Sequence, residues 1–217
     1  MTSVRPRLSP PVVIAILAGA YVAAQMMADI ASLKIIVIFD RAVDAGTLVY
    51  PFTFTLRDMV HKLAGRTVAR ALIFSAAAIN LAMAALFWIV SEWSGDPGAG
   101  DQMAFGDVLA PVWRIVLASI IAEVVAELID TEAYQKWVDR FGNRLQWGRV
   151  LSSNLVAVPV DSALFVLIAF VGDLPGSVIW EVFWLNVIFK VSVTIISLPW
   201  IYAVRDPALD STATGEH

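Results

Sequence analysis

Six long apolar runs, at about residues 12–30, 43–64, 68–91, 108–130, 150–172 and 178–203, fill most of the chain, and polar or ionisable residues interrupt every one of them. At about 1.5 Å per residue, a run of about 20 crosses a hydrocarbon core of about 30 Å, so the pattern predicts an all-α integral membrane protein with six transmembrane helices. The interruptions are Gln25, Asp29, Arg57, Asp58, Asn80, Glu123, Glu127, Asp130, Asn154, Asp161, Asn186 and Lys190. Such groups at membrane depth face one another or a wet cavity, and by default they mark a functional site.

Their spacing gives the site a shape. Ser119, Glu123, Glu127 and Asp130 follow one another at intervals of four, four and three, which makes one stripe along a helix. Asn154 and Asp161 are seven apart, with Pro159 loosening the backbone between them, and Asn186 and Lys190 are four apart, as are Gln25 and Asp29. The alternative is that these groups merely pair with each other, Lys190 with Glu123 or Asp161 for example, and lock the bundle. Interhelical hydrogen bonds in membranes contribute about 0.6 to 2 kcal/mol, whereas a charge at a helix centre costs about 2.5 to 3.5 kcal/mol. Scaffolding alone therefore recovers less than the charges cost, and a polar substrate cavity is the better reading.

Composition excludes other classes. Apolar residues make up 59% and charged residues 16% of the chain, against about a quarter charged in soluble domains. With no cysteine, disulfides, thiolate metal sites and thiol catalysis are excluded, and two histidines, His61 and His217, argue against a histidine metal cage. No zinc-protease helix, nucleophile elbow or Gly-rich phosphate loop occurs, so an enzyme has little support; no cofactor or metal is expected. The net charge of −4 with no basic patch speaks against nucleic acid.

Eleven of the fifteen Lys and Arg lie in the segments that are internal if the N-terminus is cytoplasmic: Arg5 and Arg7, Arg57 to Arg70, Lys136 to Arg149, and Arg205. The positive-inside rule then puts both termini in the cytoplasm and Glu92–Asp107 outside, in a multi-pass protein of the cell membrane. The expected organisation is a cytoplasmic segment 1–11, a transmembrane domain 12–203 and a disordered cytoplasmic tail 204–217, with the first run retained as a helix because it is too long for a signal-peptide core. Ala15, Gly19 and Ala23 form a small-residue row, beside a second row of Ala20, Ala24 and Ala28, that suits close helix packing within the chain, with partner subunits or with a second copy.

One region is irregular. Leu33–Phe39 is short and β-branched, Tyr50, Phe52 and Phe54 alternate with period two around Pro51, and only about 11 residues precede Arg57 and Asp58. The second span is therefore expected to be broken or partly re-entrant and to line the site, since non-helical backbone at membrane depth needs protein or a wet cavity to cover it. The eight Trp lie mainly near span ends as an interfacial belt; Trp184, close to Asn186, is the candidate for stacking on a ligand.

Tyr50-Pro51-Phe52-Thr53-Phe54-Thr55-Leu56-Arg57-Asp58, followed by Gly65 and Ala69-Arg70, resembles the signature of the queuosine precursor transporter family, also known as vitamin uptake transporters. Ala118-Ser119 with Glu127-Leu128-Ile129-Asp130-Thr131, and Ser152-Ser153-Asn154 through Pro159-Val160-Asp161-Ser162-Ala163-Leu164-Phe165 with Ala169-Phe170, resemble its fourth- and fifth-helix patterns. Arg57, Lys62 and Val158 depart from the pattern. The resemblance implies an importer of 7-deazaguanine bases such as preQ0 or preQ1, a fold related to the substrate-binding components of energy-coupling-factor transporters, and acidic family positions at Asp58, Asp130 and Asp161. A deazaguanine has a paired N–H edge that a carboxylate accepts, a carbonyl that wants a donor and a face that wants an aromatic ring. Asp161 or Glu127, then Asn154, Asn186 or Lys190, then Phe54 or Trp184, are candidates for these three roles, with Asp58, Glu123 and Asp130 completing the candidate site. The alternative is a ligand-binding subunit that works only with an ATP-driven module.

Overall fold

The computed structural model describes residues 9–100, 102–141 and 146–203; for some helical residues within these ranges only the backbone is described. Residues 1–8 of the expected N-terminal segment 1–11 and the whole expected tail 204–217 lie outside the described residues. Among the described residues six α-helices carry the fold: α1 Pro10–Ala31, α2 Tyr50–Ser91, α3 Met103–Leu109, α4 Val112–Phe141, α5 Gln146–Phe170 and α6 Gly176–Ala203. Among the described residues four helical stretches, Pro10–Ala31, Thr67–Ser91, Met103–Ala126 and Gly176–Val193, are long and apolar enough to cross a membrane, and Leu155–Phe170 is a shorter apolar helix. The chain is a mostly helical, multi-pass membrane protein.

Helix α1 starts where Pro10 supplies a preset φ after the extended Ser9. Its buried residues Tyr21, Ala24, Gln25, Ala28 and Asp29 make one stripe at three-to-four spacing, whereas Val12, Ile16, Met27 and Ile30 point outward. Polar residues thus face in and apolar residues face lipid, the reverse of a soluble helix.

After α1 the chain leaves helical structure. Strands β1 (Ile35–Ile38) and β2 (Arg41–Asp44) pair antiparallel, Ile35 opposite Asp44 and Ile38 opposite Arg41. The two connecting residues, Phe39 and Asp40, both have positive φ, 52° and 58°, which is the type I′ geometry that matches strand twist. A 3-10 turn, Ala45–Leu48, leads into α2. The expected irregular element is therefore present, but it is displaced: Leu33–Phe39 supplies a strand, while Tyr50, Phe52 and Phe54 are helical. Pro51 in the first turn of α2 explains the correction, because proline there loses no hydrogen bond.

Gly65 divides α2. Its φ of 81° and ψ of 173° lie in a region essentially closed to other residues, so the 42-residue helix is two helices joined at a break rather than one rod. The segment before the break, residues 50–64, is too short to count among the stretches long enough to cross a membrane.

Packing is organised around α4. Helices α4 and α5 share the most extensive interface, and Ile115, Ala118, Ala122, Phe165, Val166, Ala169, Phe170 and Val182 form a core onto which Leu33, Ile35 and Ala42 of the hairpin region pack. Smaller clusters join α1 to α2 through Tyr21, Val60, Leu72, Ile73 and Ala76, and α2 to α4 through Met83, Ala84, Val112 and Val116. Arg114 ties off the end of α5. Its Nε donates to Ile168 O at 2.8 Å, Nη1 pairs with Asp173 at 2.6 Å, and Nη2 donates to Val171 O. A cation is well placed there against the terminal carbonyls.

Candidate functional site

Elements that meet near the hairpin line one small cavity of about 20 Å³, room for about one water and far below the about 300 to 1,000 Å³ of an open ligand pocket. Ala28, Asp29 and Ser32 come from the end of α1, Asp44, Gly46 and Thr47 from the hairpin and its 3-10 turn, and Tyr50 from the start of α2. Ser119 and Ala122 of α4, Asp161 and Phe165 of α5, and Asn186 and Lys190 of α6 complete it.

The turn is held by its own polar groups. Asp44 caps it, accepting from Gly46 N–H at 2.9 Å and from the Thr47 hydroxyl at 3.4 Å. The Thr47 hydroxyl also meets the Asn186 side-chain carbonyl, which fastens the turn to α6. A side chain at position 46 has no room: a Cβ there would stand 2.0 Å from Ser32 Oγ and 2.5 Å from Ala28 O. Glycine is what lets the turn lie against α1. On the outer face of the hairpin Glu181 accepts from Ala42 N–H at 2.9 Å and pairs with Arg41 at 3.1 Å.

The electrostatic centre is the ion pair of Lys190 and Asp161, both almost fully buried at 3% and 2% exposure. The Lys190 ammonium also sits 4.8 Å from the centroid of the Tyr50 ring, a cation–π contact. Beside the cavity, Tyr21 OH donates to Glu123 at 2.8 Å, and Gln25 Nε2 donates to Glu123 at 3.2 Å and to Tyr21 at 2.8 Å. Asn80 Nδ2 donates to Gln25 at 3.2 Å, which carries this network from α4 through α1 to α2.

Of the residues expected at the site, Asp161, Asn186 and Lys190 converge on the cavity, and Glu123 lies in the adjoining network. Phe54 packs edge-on against Tyr50 at 5.4 Å with Arg57 5.6 Å from its ring, and Trp184 is half exposed against Trp180 and Phe183; neither borders the cavity. Tyr50 and Phe165 are the rings that do. Asp58, Glu127, Asp130 and Asn154 belong to α2, α4 and α5, but their side chains lie outside the described residues. Thr47 and Tyr50 belong to the segment expected to line the site without being singled out there, and Asp44 was not expected. Asp44-x-Gly46-Thr47 is a legible turn signature, yet only the folded hairpin brings that turn against α6.

A lining with an ammonium, an amide and four hydroxyls as donors, three carboxylates as acceptors and two aromatic rings has the chemistry to meet a small planar molecule with both donor and acceptor edges. The model of the family described as "Putative vitamin uptake transporter" matches residues 44–204. The chain belongs to that family. It is also similar to a protein named "Probable queuosine precursor transporter" from Bacillus subtilis (strain 168), at 25% identity over 189 residues, covering 84% of this chain and 80% of the relative. No solved structure matches the chain significantly. As a member of this family it is a membrane transporter that takes up a small molecule.

Proposed function

We propose that this vitamin uptake transporter imports a queuosine precursor of the 7-deazaguanine class, preQ0 or preQ1, across the cell membrane. The observation that carries the reading is the polar lining of the cavity at the hairpin, where Asp161, Asn186 and Lys190 converge and the Lys190 ammonium lies over the ring of Tyr50. A carboxylate accepts the paired N–H edge of such a base, an ammonium or amide donates to its carbonyl, and the tyrosine offers a stacking face. Relatedness to a named queuosine precursor transporter supports the same substrate class. Six membrane-crossing segments with both termini cytoplasmic remain the topology that the Lys and Arg distribution favours. The test uses cells that cannot make the precursor: expression of this chain restores queuosine in tRNA when preQ0 is supplied, and absence of queuosine at verified membrane abundance rejects the reading.

One observation favours a second reading. Ala15, Gly19 and Ala23 are exposed on α1, whereas Ala24 and Ala28 of the neighbouring row are buried. Such an outward small-residue surface admits a close-packed helix of a partner, as a binding subunit of an ATP-driven assembly would need. Purified protein alone in liposomes separates the two: uptake without ATP supports the stand-alone transporter, and binding without uptake supports the subunit.

A further inference from the structure

The carboxylates around the cavity differ in how their charge is compensated. Asp161 is paired with Lys190. Asp44 accepts two hydrogen bonds at its turn and lies within the field of Lys190. Asp29 has neither advantage. It sits on α1 at 4% exposure and lines the cavity together with Ser119 of α4. A neighbouring hydroxyl leaves a carboxylate's charge uncompensated, and in a buried position an isolated charge is costly.

The groups that face Asp29 increase that cost. Glu123 of α4 and Asp44 of the hairpin repel a negative charge there, Tyr50 of α2 is near, and Asp161 and Lys190 across the cavity are committed to each other. A divalent cation would need several converging oxygen ligands, and among the described residues no group of three or more acidic or histidine side chains could hold a metal. A proton needs only the one carboxylate. Gln25, one turn away on α1, bonds to Tyr21 and Glu123, so hydrogen-bonding groups continue along the α1–α4 face beyond Asp29.

We propose that Asp29 carries the proton that drives uptake: its carboxyl binds a proton from one side as the cavity loads and releases it to the other as the cavity empties. One proton crosses with each substrate molecule, no covalent bond is made, and with a neutral base one positive charge moves. The proposal rests on the transport reading above.

The experiment is steady-state accumulation of labelled preQ0 by the purified full chain in liposomes without ATP. An inward gradient of one pH unit supports about tenfold accumulation for one coupled proton, and a protonophore abolishes it. Asp29→Asn keeps the shape but has no transferable proton, so its accumulation ratio falls to about one whatever its loading rate. An Asp29→Asn ratio equal to that of the unaltered chain overturns the proposal, as does accumulation that follows a sodium gradient and ignores pH. Should the variant not fold, entry of preQ0 into weakly buffered vesicles of the unaltered chain decides: the outside loses about one proton per molecule, and no pH change overturns the proposal. Exchange of labelled for unlabelled preQ0 at equal pH separates the two readings. Exchange without gradient-driven accumulation removes only the coupling, and no exchange removes the transport reading and the coupling with it.

Discussion

Lys190 and Asp161 illustrate how a buried pair can serve structure, substrate or both. Removing one partner leaves the other charge buried and uncompensated, which costs about 3 to 5 kcal/mol, whereas replacing both by apolar groups is often neutral. Asp161→Asn alone is therefore expected to lower thermal stability in detergent and to abolish import, while Asp161→Asn with Lys190→Met regains stability and does not regain import. Recovery of preQ0 uptake by the double variant would show that the pair only joins α5 to α6. Gly46 makes a second residue-scale prediction. Gly46→Ala pushes the 3-10 turn off Ala28 O and Ser32 Oγ, breaks the Thr47–Asn186 contact and lowers uptake at least about tenfold. Gly46→Ala at normal membrane abundance and full uptake would dispense with the close approach.

At the level of elements, the break at Gly65 and the hairpin decide where the site lies. An alanine at position 65 meets no neighbouring atom, so any cost of Gly65→Ala is backbone strain and not crowding. About 1 to 3 kcal/mol is expected for a non-glycine residue in that conformation. A drop in the unfolding midpoint measured in detergent checks it, and an unchanged midpoint would mean that the break tolerates a side chain. The hairpin is held at its outer face by Glu181, whose carboxylate serves both Ala42 N–H and Arg41. Glu181→Gln keeps an acceptor for the backbone bond and removes the charge facing exposed Arg41, so at most a small drop in the unfolding midpoint is expected.

For the whole molecule, topology is the property that membrane insertion determines and that burial alone does not reveal. The distribution of Lys and Arg predicts an external Ala99 and a cytoplasmic Thr214. Because the chain has no cysteine, single substitutions report cleanly: an impermeant thiol reagent on intact cells is expected to label Ala99→Cys and to spare Thr214→Cys. The opposite pattern would invert the protein in the membrane. The apolar surface agrees with a lipid solvent, with Phe74, Leu128, Leu155 and Ile196 all at 64% exposure or more. A soluble domain would not leave so much large apolar surface in water.

Membrane class, helical content and polar helix faces were legible in the sequence because each depends on local periodicity and composition. The apolar runs fix where helices lie, and the cost of charge in hydrocarbon singles out Asp161, Asn186 and Lys190 before any contact is known. The break of regular structure between the first and third runs was also legible from β-branching and proline, although its strands lie at Ile35–Asp44 and not around Tyr50. Partnership was not legible. That Lys190 meets Asp161 rather than Glu123, that Tyr50 rather than Phe54 or Trp184 offers its ring, and that Asp44 and Thr47 reach α6 all depend on contacts between residues far apart in the chain. Side-chain spacing specifies the face of a helix, but only the packing of helices and hairpin together decides what that face meets.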